Sequence, residues 1–253
     1  MKIGAQLYTL RDYLKTPKDI AESLDRVAKI GYKSIQVSGL GPFDPTELSG
    51  VASSLGLEIA ITHTAPDRIL NETKQVAKEH QIMGCSHVGI GMRPDRYADT
   101  LDGYRKFLQD FDPAAKALAA EGLKLHYHNH EFEFAKDGGK VLYDVLVDET
   151  DPGRWGFIVD TYWVQVGGRC PSEQIKALKG RITAVHLKDL AIVGGKQRMA
   201  EVMEGNLSWQ EIFLACKTVG VQYAMVEQDD CGGKSPFDAL KKSFDNLAAA
   251  GYK

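Results

Sequence analysis

An alternation repeated eight times constrains this chain more than any other feature. Short apolar, β-rich runs lie at 2–8, 33–37, 58–64, 87–92, 124–130, 156–162, 182–187 and 223–228. Each is followed by an amphipathic run, at 17–31, 45–55, 70–83, 99–121, 141–147, 171–178, 209–219 and 236–250. In the first of these, Ile20, Leu24, Val27 and Ala28 recur at the spacing of one buried helix face. Thr16, Pro17 and Asp19 read as N-cap, N1 and N3, and Gly31 as the stop. Ser208 and Glu211 fit a capping box, and Ser235, Pro236 and Asp238 repeat the start signals at the last helix. Pro113 is expected to break or kink the run at 99–121.

Parallel strands need crossover helices, and those helices cover the sheet. Eight strand–helix units of roughly 30 residues each therefore predict an α/β chain folded as a closed (β/α)8 barrel, one domain spanning 1–253. An open doubly wound sheet would favour a Gly-rich dinucleotide turn after its first strand. Here that turn reads Thr9-Leu10-Arg11-Asp12. Gly138-Gly139, Gly167-Gly168, Gly194-Gly195 and Gly232-Gly233 fall after strands 5 to 8. They mark either ordinary turns or places where backbone must approach a ligand.

Charge narrows the partners. Lys plus Arg number 31 and Asp plus Glu 34, a net charge of −3, so nothing draws the whole chain to nucleic acid or anionic lipid. No apolar run is long enough for a membrane span. Met1–Leu7 lacks the charged and apolar regions of a signal peptide, so the cytoplasm is the expected compartment. Cys85, Cys170, Cys216 and Cys231 form no CxxC pair and are expected to be reduced.

Barrel active sites sit at the C-terminal ends of the strands. Strands 6, 7 and 8 place Asp160, His186 and Glu227 there, each after an apolar run. A charge in that position is costly to desolvate alone, so either buried ion pairs or a shared cation explains the three. Strand 5, His126-Tyr127-His128-Asn129-His130-Glu131-Phe132-Glu133, can supply a fourth ligand. Three carboxylates with one imidazole would suit Mn²⁺, Mg²⁺ or Co²⁺ better than a structural Zn²⁺.

The chain resembles the xylose isomerase-like barrel superfamily, which includes sugar phosphate isomerases/epimerases and inosose dehydratases. The likeness runs from Ile3-Gly4-Ala5-Gln6-Leu7-Tyr8 through Tyr127-His128-Asn129-His130, Asp160-Thr161-Tyr162-Trp163, His186-Leu187-Lys188-Asp189 and Val226-Glu227. It implies Glu133, Asp160, His186 and Glu227 as metal ligands, with Glu131, His126 and His128 as rivals to Glu133. It also implies a divalent cofactor, Mn²⁺ first, then Mg²⁺, Co²⁺ or Zn²⁺. The implied reaction is isomerisation or epimerisation of a keto-sugar or sugar derivative through a metal-stabilised enediolate, with Glu133 and Glu227 as the acid/base pair. The alternative is a lyase or dehydratase acting on a 3-keto-sugar, 3-keto-glycoside or inosose.

His130 and Lys188 are further candidates for catalysis, and His63, Gln36, His128 and Trp163 for substrate contact. For His63 the competing role is a core imidazole, for Lys188 a partner to a carboxylate, and for Trp163 simple packing. The expected partner is a small sugar, with no nucleic acid or membrane, in a homodimer or higher homo-oligomer. An abasic-site nuclease and a silent sugar-binding barrel are the rival classes. The former would need a basic groove.

Overall fold

The computed structural model describes residues 1–252. Eight parallel strands form its centre: β1 (Lys2–Gln6), β2 (Ser34–Val37), β3 (Glu58–Thr62), β4 (His87–Ile90), β5 (Lys124–His128), β6 (Trp155–Asp160), β7 (Ile182–Leu187) and β8 (Tyr223–Val226). Their hydrogen-bonded order is β3-β2-β1-β8-β7-β6-β5-β4, so chain neighbours are sheet neighbours and β3 and β4 meet at the seam. There the Thr64 N–H donates to the Gly89 carbonyl at 2.8 Å. A Cβ on Gly89 would lie 2.1 Å from the Thr62 carbonyl oxygen, so this close approach requires glycine. The result is the expected, nearly closed (β/α)8 barrel.

Side-chain alternation divides the core in two. Ile61, Ile158, Ala184 and Met225 form a small inner cluster, joined by Ala60, the extra residue where β3 bulges against β2. Ile59, Phe157, Val159, Val185 and Ala224 point outward into the larger core beneath the helices. Helix Pro17–Ile30 starts as expected: the Thr16 side chain accepts from the Asp19 N–H, and Asp19 caps back in a reciprocal box.

Local details differ from the sequence expectations. The first strand stops at Gln6, whose side chain accepts from the Tyr8 N–H and starts the 3₁₀ segment Leu7–Tyr13. The run at 70–83 is two helices, Pro66–Asn71 and Thr73–Ile82, parted at Glu72. Helix Leu101–Ala120 runs through Pro113. That proline is exposed, so water can satisfy the carbonyl its ring leaves without a donor. The Ser208 side chain makes no capping bond. The first turn of Trp209–Val219 is held instead by the Trp209 indole N–H donating to Asp189. Ser235 likewise makes no side-chain cap.

Two features lacked a periodic signal. A short helix, Thr161–Val166, follows β6 directly, and a hairpin pairs Asp189–Val193 with Lys196–Ala200. The glycine pairs are turn chemistry: 138–139 and 194–195 turn hairpins, and 167–168 end a helix. None of them lines the main cavity, whose glycines are Gly39 and Gly91. Among the described residues no helix is long and apolar enough to cross a membrane.

Candidate active site

Four neighbouring strands end at one level. His128 closes β5, Asp160 closes β6, His186 is next to last in β7, and Glu227 follows β8. The register sets Asp160 beside His186 and His186 beside Met225. All four side chains are buried, and one ligand atom from each lies within 4.8 Å of the others. His186 Nδ1 is 2.8 Å from Glu227 Oε2 and 3.7 Å from Asp160 Oδ2. His128 Nε2 is 3.5 Å from Asp160 Oδ2.

The far sides of both imidazoles decide what their near sides can do. His128 Nδ1 lies 2.9 Å from the Gly91 carbonyl oxygen, and His186 Nε2 lies 2.7 Å from Gln36 Oε1. Both partners only accept, so those nitrogens carry the protons. Burial lowers the His128 pKa and leaves a lone pair on Nε2. Burial also opposes charging of His186, but Glu227 and Asp160 raise its pKa to about 9. Without a cation its Nδ1 is therefore protonated toward Glu227 and must lose that proton to ligate. His128 Nε2 and Asp160 Oδ2 are buried without a hydrogen-bond partner. Buried polar atoms are normally satisfied. Two unsatisfied ones converging with His186 and Glu227 fit a divalent cation held by two imidazoles and two carboxylates.

Glu133 is not in this group, contrary to the expectation for strand 5. The strand ends at His128, and the 3₁₀ turn Phe132–Phe134 swings Glu133 back under the chain. Its carboxylate accepts from the Tyr127 hydroxyl at 2.7 Å and the His130 N–H at 2.8 Å. Burial raises its pKa to about 7, against the pull of those two donors. Of the three rivals, Glu131 is exposed. His126 lies deeper in the barrel, bonded to the Lys124 carbonyl and Thr183 Oγ1. His128 is the one brought to the cluster.

Residues 24–249 match the model of the family described as xylose isomerase-like TIM barrel. The chain belongs to the xylose isomerase-like TIM barrel family. An inosose dehydratase from Geobacillus kaustophilus (strain HTA426) is 26% identical over 189 residues, 66% of this chain and 61% of that protein, so the match spans about three fifths of the relative's length. A sugar phosphate isomerase/epimerase from Parabacteroides distasonis ATCC 8503 has the same fold with a TM-score of 0.84 and 24% identity, covering 98% of this chain and 94% of the other. An L-ribulose 3-epimerase shares the fold with a TM-score of 0.72 and 15% identity, over 98% and 94% of the two chains.

In this xylose isomerase-like barrel a buried cation adjoins the four side chains. Lys188 Nζ is 3.6 Å from Asp160 Oδ2, 3.5 Å from Glu227 Oε2 and 2.5 Å from Asp229 Oδ2. Burial opposes every charge here. Even so, the Lys188 ammonium and the imidazoles hold Asp160 and Glu227 well below the usual carboxylate range. Burial and the Glu227 charge raise Asp229 to about 6, despite Lys188. Asp229 went unnoticed in the sequence because it follows strand 8 inside a polar loop. The only signal was its spacing of two from Glu227. Thr161 ties the ends of β6 and β7 together: its hydroxyl lies 3.0 and 2.8 Å from the His186 and Lys188 carbonyl oxygens and accepts from the Lys188 N–H.

A cavity of about 640 Å³ opens over the cluster, lined in part by His63, His128, His130, Lys188, Glu227 and Asp229. His63 and His130 have pKa values lowered by burial and by neighbouring imidazoles, His130 to about 3, so both rings are neutral near pH 7. Two expected substrate contacts are placed elsewhere. Gln36 is fully buried behind His186, whereas Gln6 reaches the cavity lining and donates to Glu227 Oε1 at 2.7 Å. Trp163 is not in the cavity wall. Its ring lies 5.0 Å from Lys188 Nζ and covers the ammonium.

Proposed function

We propose that this chain is a divalent-metal-dependent isomerase or epimerase that moves a proton at the carbon beside the carbonyl of a keto-sugar or sugar derivative. The observation that carries this reading is the convergence of unpartnered His128 Nε2 and Asp160 Oδ2 with His186 Nδ1 and Glu227, under an open cavity. His128, Asp160, His186 and Glu227 would hold the ion. Two imidazoles with two carboxylates make a more nitrogen-rich set than three carboxylates with one imidazole. That favours Mn²⁺, Co²⁺ or Zn²⁺ over Mg²⁺. When bound, such an ion supplies Lewis-acid stabilisation of negative charge developing on a carbonyl oxygen.

The chain's own groups supply the proton chemistry. Glu227 both belongs to the cluster and faces the cavity, with Gln6 fixing one oxygen, so it is assigned removal of the proton α to the carbonyl. The C–H electron pair then forms the carbon–carbon double bond, and the carbonyl oxygen takes up the charge. Lys188, anchored by Asp229, provides a positive charge for that oxygen. Protonated Glu227 returns the proton to the neighbouring carbon, while His130, neutral near pH 7, lines the cavity as a hydrogen-bonding contact for the substrate. Purified protein, stripped by a chelator and reloaded with Mn²⁺, should incorporate solvent deuterium into one of a panel of ketoses. Failure to bind any divalent ion, together with no exchange on any ketose, would overturn the reading.

A second reading, a dehydratase, is favoured by the 26% identity to an inosose dehydratase. Here Lys188 would protonate a departing β-hydroxyl after Glu227 has taken the α-proton. An enone absorbance from an inosose or a 3-keto-sugar would separate this reading from the first.

A further inference from the structure

The cavity is larger than a single sugar ring requires. Even at the ~30 Å³ per heavy atom of liquid water, a six-carbon sugar of about twelve heavy atoms fills roughly 360 Å³. The cavity holds about 640 Å³. The clustered side chains come from β5 to β8, whereas Tyr8, Arg11, Pro66, Met92, Pro94 and Arg96 line the cavity from the loops after β1, β3 and β4. Tyr8 and Met92 are 41% and 47% exposed. Among the described residues they are the large hydrophobic side chains that both face solvent and line this cavity.

The outer wall is built rather than loose. The Arg11 guanidinium lies 4.7 Å from the centre of the Tyr8 ring. Gly39, at φ +71°, leaves free the space that a Cβ would take 2.9 Å from Tyr8 Cδ2. Charge does not account for the surplus space. Arg93 pairs with Asp99, Arg96 pairs with Asp67, and Arg11 donates to the carbonyls of Tyr8 and Asp229. Asp95, on the same wall, adds a negative charge. The wall therefore presents apolar surface between cations that already have partners.

We propose that the substrate carries a flat apolar group beyond its sugar ring, as in an aryl glycoside, and that Tyr8 and Met92 form the subsite for it. An aromatic ring there would stack on Tyr8 and contact the Met92 thioether while the sugar reaches Glu227 and Lys188. This rests on the sugar-enzyme reading of the same cavity.

Titration calorimetry on the full chain in buffer with Mn²⁺ can compare the phenyl glycoside, methyl glycoside and phosphate ester of one keto-sugar. The phenyl glycoside should bind at least about tenfold tighter than the methyl glycoside. That ratio should collapse toward one in both Tyr8→Ala and Met92→Ala. Equal affinities, a ratio that survives in both variants, tightest binding by the phosphate ester, or no binding of the phenyl glycoside would each overturn the proposal. Deuterium exchange without a phenyl preference sinks the subsite alone. A phenyl preference without exchange on any ketose sinks the isomerase reading alone.

Discussion

His186 and Gln36 meet across the barrel interior, imidazole Nε2 to amide Oε1, at 2.7 Å. This bond turns the other imidazole nitrogen toward Asp160 and Glu227, where it can ligate a cation that displaces its proton. A residue from β2 thereby determines what a residue from β7 can ligate. Gln36→Leu should lower Mn²⁺ affinity by about 10- to 100-fold, read by competition with a chelating dye. Unchanged affinity would mean that the pair has no part in cation binding.

The choice between His128 and Glu133 can be tested by the same assay. His128→Ala should weaken Mn²⁺ binding by at least about tenfold, whereas Glu133→Gln should leave it at the wild-type level. The reverse result would restore Glu133 to the ligand set and refute the geometry described above.

Glu133 should leave its mark on stability instead. Its folded pKa is raised from 4.5 to about 7, so the folded state binds the proton more tightly than the unfolded chain. Its contribution is therefore favourable below the unfolded value and is lost as pH rises from about 4.5 to about 7. Glu133→Gln mimics the protonated acid. In urea unfolding it should gain about 3 kcal/mol on wild type between about pH 4 and pH 8. A pH-independent difference between the two proteins would contradict this assignment.

Lys188 should oppose cation binding while aiding turnover. Its ammonium lies 3.5–3.6 Å from two of the clustered carboxylates. Lys188→Met should raise Mn²⁺ affinity by about tenfold or more and lower deuterium exchange by about 100-fold. Without metal, Asp160, Glu227 and Asp229 would keep only the His186 imidazolium as counter-ion, so the variant should melt lower and gain more on adding Mn²⁺. A fall in Mn²⁺ affinity would show that the lysine supports the site rather than competing with the ion.

Glu227→Gln tests the proton-transfer role directly. The amide preserves size but cannot accept the α-proton, so exchange should fall by about 10²- to 10⁴-fold while calorimetry still detects the sugar. Exchange near the wild-type rate would move the base to another residue.

The parts of this protein legible from sequence rest on local rules. Eight periodic alternations specify eight strands and their crossovers, and Thr16, Pro17 and Asp19 specify a helix start, because each depends only on neighbours in the chain. Asp160, His186 and Glu227 stand out for the same reason: each follows an apolar run, and strand direction brings all three to one end of the barrel. Strand 5 offered too many polar side chains for local rules to choose among. His126 and His128 share the same parity, so only depth along the barrel separates the one bonded to Thr183 from the one facing Asp160. Glu133 was lost where strand geometry gave way to a 3₁₀ turn, beyond which a two-residue period carries no information. Asp229, the Gln6–Glu227 pair and the Tyr8–Met92 wall depend on contacts between segments far apart in the chain. Packing alone decided those, because residues far apart in the chain become neighbours only once the barrel closes.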